Sequence, residues 1–266
     1  MSRRLPRWLI VVVTAVYLFL HLPLLVLVVF SFNDSKFVKW EGFTLQWYQR
    51  LWERQDIVDS LWVSLQVGLA STAISALLGT LLALGLARHR FRGRTAVESL
   101  LYVPVATPEI VVGISLLLLF GSLRMQLGMD TPSIVAIVIA HVAFNISFVT
   151  IVVRARLEGM DRNLEEAAMT LGADEVTAFW KITVPQLWPG ILSGALLAFT
   201  MSFDDYVITS LLTGPGTSTL PIVIYTMARK NIEPSVNAIS TIILVGTAVL
   251  IWISDRLSRD KPVTSH

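Results

Sequence analysis

The sequence predicts an all-α membrane protein with six transmembrane helices and both termini in the cytoplasm. Three observations carry that prediction. Of 266 residues, 54% are hydrophobic and 15% charged, where a soluble domain carries roughly 25% charge, and the mean hydropathy is +0.68. Apolar stretches long enough to cross the hydrocarbon core, which takes about 20 helical residues, recur near 8–30, 61–87, 97–121, 133–153, 189–212 and 236–254. None of these stretches contains Lys or Arg, and fourteen of the 21 basic residues fall in 1–7, 88–96, 154–188 and 255–266, which the positive-inside bias places in the cytoplasm.

The same composition excludes whole classes of function. A soluble globule is ruled out, and a net charge of +2 is too small to argue for nucleic acid. With no Cys in the chain, disulfides, thiolate nucleophiles and cysteine-ligated metals are excluded. The histidines His21, His89, His141 and His266 are too scattered to form a metal cluster. No G-x-x-x-x-G-K-[ST] phosphate loop occurs, so the chain is not expected to cradle ATP or to be an enzyme.

The elements follow in order. The first span succeeds Arg3, Arg4 and Arg7 as a signal peptide would, but its apolar run is too long and no small-residue cleavage pattern follows. It reads as an anchor in a single membrane domain. In the external segment 31–60, the string FTLQWYQRLWERQD places Trp47 and Leu51 at helical spacing, predicting a helix on the outer interface. Trp40, Trp47 and Trp52 fit either an aromatic belt or a substrate or partner contact. Arg88, Arg90, Arg92 and Arg94 read as a topology signal, with lipid phosphate as the second reading.

The cytoplasmic loop 154–188 is too long to be a turn. Asn163 with Glu166 fits a capping-box-like helix start, and Gly172 fits a C′ stop. Leu164, Ala167, Ala168 and Leu171 form one narrow stripe with small side chains at its centre. A second short helix is predicted with Val176, Phe179 and Trp180 on one face, stopped at Pro185. Such a knob suits either docking into a groove on a soluble partner or packing against its own membrane helices.

Three carboxylates lie inside apolar spans. Glu109, Asp204 and Asp205 each cost about 2.5–3.5 kcal/mol there. No span carries Lys or Arg, so the expectation is that the chain supplies no intramembrane ion pair. Protonation, a partner subunit's base or a transported cation remain. At ~1.5 Å per residue, Glu109 and His141 lie ~18 Å and Asp204 ~22 Å from the cytoplasmic side, in one layer. Pro104 and Pro108 predict a break or bend just before Glu109. An extended polycation would suit this layer: the acids for its ammonium groups, Ser202 and Asn145 for hydrogen bonds, Trp47 or Tyr206 for a cation–π face. His141 is a weaker candidate.

The pattern EAA-x3-G-x9-I at Glu166, Ala167, Ala168, Gly172 and Ile182, closing with Pro185, resembles the signature of bacterial ABC importer permeases of the type I fold. Val184 stands where that family usually has Leu. The resemblance implies that this loop, including Leu171 and Phe179, is the coupling region that sits in a cleft of an ATPase subunit. The strings RHRFRG (88–93), TPEIVVGISLLLLF (107–120) and LAFTMSFDDYVITS (197–210) are similar to the spermidine/putrescine permeases, the second permease subunit in particular. That likeness implies a multi-pass protein of the bacterial inner membrane acting in polyamine uptake, with Trp47, Glu109, Ser202, Asp204 and Asp205 in the substrate pathway. Relatives can have Asp at position 109. It further implies a homologous permease as heterodimer partner, two copies of an ATPase using ATP and Mg, and a periplasmic polyamine-binding protein. No cofactor is expected on this chain itself. A related permease for another organic cation or small solute, or a proton-coupled secondary carrier, are the alternatives.

Overall fold

Each apolar stretch of the sequence forms helix, because only intrahelical bonds satisfy the backbone in hydrocarbon. A computed structural model describes residues 6–35, 39–128, 133–161, 163–230 and 234–259. Among them the helices are α1 (Arg7–Phe30), α2 (Gln46–Glu53), α3 (Gln55–Arg88), α4 (Arg94–Ala106), α5 (Glu109–Leu127) and α6 (Ser133–Glu158). They continue with α7 (Asn163–Thr170), α8 (Glu175–Ala178), a π-helical turn (Phe179–Thr183), α9 (Val184–Phe203), α10 (Val207–Leu212), α11 (Leu220–Lys230) and α12 (Pro234–Arg259). Five helical segments are long and apolar enough to cross a membrane: Arg7–Phe30, Gln55–Arg88, Glu109–Gln126, Ser133–Glu158 and Glu175–Phe203. The sixth expected stretch lies in α12, where Pro234–Val249 forms a shorter apolar helix.

Two expected spans are interrupted. The third divides into α4 and α5 at Thr107 and Pro108, both extended in ψ; Pro108 offers no N–H and restrains the residue before it from the helical region. The span expected over 189–212 is not continuous either. It breaks between α9 and α10 at Asp204–Tyr206, where Asp205 turns back to cap the following helix. Pro185 likewise does not stop the second cytoplasmic helix. It sits in the first turn of α9, immediately after the π turn. The wider π turn relieves the clash of a proline ring with the carbonyl four residues earlier, so α8 runs on into the membrane.

The chain forms two compact units. One comprises residues 1–59 and 223–251. In it α1 has no buried residue, and the outer segment is organised by Asn33. The Asn33 side chain donates to the Lys39 carbonyl at 2.9 Å and accepts from the Glu41 N–H at 3.0 Å, and its backbone bridges Phe43. The Trp47 indole N–H donates to the Asn33 carbonyl at 2.7 Å, which pins α2 to the loop. Phe32 stacks on Phe43, and Ser31 shares a 2.6 Å hydrogen bond with Tyr48.

The other unit comprises residues 60–222 and 252–266. Its centre is α6 packed on α9, around Ala83, Val149, Val153, Leu187 and Ala198. A second cluster joins Val67 of α3 and Ile137, Ala140 and Phe144 of α6 to Ile208 and Leu212 of α10. Without a solvent-driven hydrophobic effect between helices, association rests on close packing over small residues. Gly79 shows this. A Cβ there would lie 2.8 Å from the Val149 side chain and 3.1 Å from the Ile146 carbonyl oxygen, and the Thr150 hydroxyl donates to the Gly79 carbonyl at 3.2 Å. Gly79→Val should therefore lower the stability of the purified protein in detergent by about 1–3 kcal/mol, read from denaturant unfolding; unchanged unfolding would contradict this α3–α6 contact.

Candidate functional site

The two helix breaks hold the acidic residues. Glu109 is the first residue of α5, preceded by Pro108 in the cap position, where the positive end of the helix dipole favours a carboxylate. Asp204 caps the C-terminus of α9, its N–H bonded to the Thr200 carbonyl at 3.1 Å. A negative side chain at that end meets the negative pole of the helix and gains nothing from it. Both carboxylates are exposed on this chain. Asp204 is repelled by Asp205 and, more weakly, by Glu109. The two helix breaks thus leave one exposed acid each, at the start of α5 and at the end of α9.

Asp205 has a different environment. It is buried, and its carboxylate accepts from the Ile208 N–H at 3.3 Å, the Thr209 N–H at 2.8 Å and the Thr209 hydroxyl at 2.7 Å. It thereby satisfies the first N–H groups of α10, which would otherwise be orphaned within the membrane. His141 Nε2 lies 3.3 Å from the same carboxylate and 3.1 Å from the Thr209 hydroxyl. His141 Nδ1 lies 2.6 Å from the Ser202 hydroxyl, which in turn meets Ser71 at 2.9 Å. With the ring proton on Nε2, His141 donates toward Asp205 and Thr209 while Nδ1 accepts from Ser202. One histidine thus ties α3, α6, α9 and α10 together.

The expectation concerns an intramembrane ion pair; what the fold supplies to Asp205 is a hydrogen-bond partner, His141, and adjacent positions in sequence have opposite situations. Ser202 and His141 are spent on the internal network rather than offered outward. Asn145 is fully buried and donates from Nδ2 to the Ala198 carbonyl at 3.3 Å, so it joins α6 to α9. Trp47 is buried, its N–H used by Asn33, with the Arg50 guanidinium 5.0 Å from its ring; it belongs to no exposed belt, whereas Trp40 and Trp52 are exposed. Tyr206 lies at the α9–α10 break, partly buried. The sequence reading missed Thr209 and Ser71. Thr209 carried a signal, standing one turn after Asp205; Ser71 carried none.

The loop over 154–188 keeps its expected helix with one change. The α7 start is capped by Asp161, whose carboxylate accepts from the Asn163 N–H at 2.9 Å; Asn163 is itself helical. Two residues before the amide it serves, Asp161 has the better reach. At the other end Gly172 has φ +95, and two bonds close the helix: Gly172 N–H to the Met169 carbonyl and Ala173 N–H to the Ala168 carbonyl, both 3.0 Å. That is the Schellman pattern, which needs a left-handed C′ residue and hence glycine. Beyond the turn, Thr177 holds the Asp174 carboxyl below its ordinary range by hydrogen bonds from its hydroxyl and N–H. Glu166, Ala167 and Leu171 are exposed and Ala168 partly so. Glu166 and Ile182 line a pocket of about 350 Å³ together with Arg88, Asp161, Glu165, Met169, Glu175 and Thr183.

Apolar helices interrupted at carboxylates, with an exposed knob of short helices between spans, define an integral membrane protein. The chain belongs to the family of binding-protein-dependent transport system inner membrane components, which it matches over residues 75–261. It is therefore a membrane permease component of a transport system and not an ATP-hydrolysing subunit. Over 249 residues it is 40% identical to the spermidine/putrescine transport system permease protein PotC of Escherichia coli, covering 93% of this chain and 92% of that one. It is 38% identical over 250 residues to the putrescine transport system permease protein PotI of Escherichia coli, covering 93% and 89%. Its fold is similar to that in the crystal structure of a bacterial ABC transporter involved in the import of the acidic polysaccharide alginate, with TM-score 0.71 at 18% identity, covering 97% of this chain and 96% of that one.

Replacing His141 by Leu should lower unfolding stability by about 1–3 kcal/mol, because the Asp205 and Ser202 groups lose a buried partner. Asp204→Asn should leave stability unchanged or raised, since it removes a like-charge repulsion. Thermal unfolding of both purified variants checks the contrast; equal losses would contradict the division between the two aspartates.

Proposed function

We propose that this protein is one permease subunit of an ATP-driven importer of polyamines, spermidine or putrescine, in the bacterial inner membrane. Six spans with both termini in the cytoplasm complete its topology. It pairs with a homologous permease, two copies of an ATPase that consume ATP with Mg, and a periplasmic polyamine-binding protein. The observation that carries the substrate is the open pair Glu109 and Asp204, in a chain 40% identical to a spermidine/putrescine permease. Two carboxylates that meet no counter-charge among the described residues are stabilised by an arriving ammonium, and helix breaks within apolar spans provide carbonyls for a cation.

Alternating access follows from the two parts of the chain. Closure of the ATPase pair moves the loop that carries α7, and the membrane helices exchange between inward-open and outward-open states, a shift between two populations. The amine need be held only loosely by Glu109 and Asp204, so that the opposite state releases it. Glu166, Ala167, Ala168, Leu171, Gly172, Phe179, Ile182 and Pro185 form or support the ATPase-facing surface. Ser202, Asp205, His141, Asn145 and Tyr206 shape the pathway by holding its walls.

In right-side-out vesicles containing the full transporter and lumenal ATP, radiolabelled putrescine or spermidine should accumulate and continue to do so with a protonophore present. Collapse under the protonophore would favour a proton-coupled carrier. Asp204→Asn should reduce uptake by about ten- to hundredfold, the loss of one charge-assisted hydrogen bond, with the complex still assembled; normal uptake would remove Asp204 from the pathway. Ala167→Glu should abolish co-purification of the ATPase while membrane insertion persists, and retained co-purification would argue against the loop as its seat.

A further inference from the structure

Arg88 is the last residue of α3, one of four arginines whose sequence reading is a topology signal. The structure gives it contacts that a topology signal does not need. Its Nη2 lies 2.9 and 2.8 Å from the two Glu165 carboxylate oxygens on α7 and 3.2 Å from the Thr183 hydroxyl at the end of the π turn. Its guanidinium lies over the Phe179 ring at 5.4 Å, at the start of that same turn. No residue of α7 is buried. Its first turn is therefore held to the membrane helices by this side chain, while its far end continues through Gly172 into α8.

We infer that Arg88 is a positioning residue that joins the cytoplasmic helix α7 and the π turn to the end of α3, so that displacement of α7 is passed to α3 as well as to α9. Covalent continuity through α8 and the π turn already links α7 to α9. Movement of α3 has no such chain connection, and the guanidinium supplies it. The neighbouring basic pairs serve other joints: Arg154 meets Glu98 at 3.0 Å between α6 and α4, and the Arg156 guanidinium donates to the Gln186 carbonyl at 3.0 Å between α6 and α9. Arg88 alone among these spans three segments.

The consequence for transport rests on the importer reading above, so the test has two readouts. The chain has no Cys, and a single spin label at Met169→Cys reports the mobility of α7 in the complete transporter whatever the substrate. Arg88→Ala should sharpen that spectrum, Arg88→Lys should partly restore it, and Arg90→Ala, which removes the same charge from the same loop, should leave it unchanged. An unchanged spectrum in Arg88→Ala overturns the proposal. In parallel, uptake per ATP hydrolysed should fall by about two- to thirtyfold in Arg88→Ala, the range of a disrupted coupling, with hydrolysis and assembly retained. The exchange Arg88→Glu with Glu165→Arg should recover part of it. Unaltered uptake per ATP, or equal loss in Arg90→Ala, also overturns it. Failure of the unaltered transporter to take up polyamine would instead strike the importer reading, leaving the spin-label result to judge the clamp.

Discussion

The rest of the structure depends on the rule that a polar group in hydrocarbon must find a partner, because an unsatisfied one costs several kcal/mol. The break between α9 and α10 frees backbone N–H groups within an apolar span, where that rule applies. Asp205 meets them, Thr209 and His141 meet Asp205, and Ser202 with Ser71 completes the chain of bonds across four helices. The network makes a break in a membrane helix tolerable. It adds directional bonds to the apolar packing of Ile208 and Leu212 that already seats α10.

The two neighbouring aspartates show how function is separated from support. Asp205 is buried and satisfied; Asp204, at the end of α9, is exposed, as is Glu109 at the start of α5. A site for a polycation needs fixed negative charge that is not already neutralised. It also needs walls that do not collapse around it when the cation leaves. On the proposed reading, the buried network provides the walls and the open pair provides the charge, so neither role compromises the other.

The loop that carries α7 repeats the logic on an exposed surface. Its helix is too short to be stable in isolation, and it buries none of its residues. Order comes from its ends: Asp161 at the start, the left-handed Gly172 at the finish. Arg88 adds a tie to the membrane helices. A helix defined at its termini and free on its apolar stripe can present that stripe to another protein while remaining mechanically connected to the spans beneath it.

The sequence by itself determined where the chain is apolar, where basic charge gathers, and where α7 ends. Those properties are local: hydropathy sums over about 20 residues, and the glycine stop is written within five positions around Gly172. The prolines also marked the break before Glu109. Local pattern could not assign partners across the bundle. His141 and Asp205 are 64 positions apart, and Ser71 and Ser202 are 131 apart; no periodicity reports such a contact. The sequence therefore showed two equivalent aspartates and four equivalent arginines. Only the packing of α3, α6, α9 and α10 decided that Asp205 is satisfied and Asp204 open, and that Arg88 holds α7, because a side chain's role is fixed by the groups the fold brings within hydrogen-bond distance.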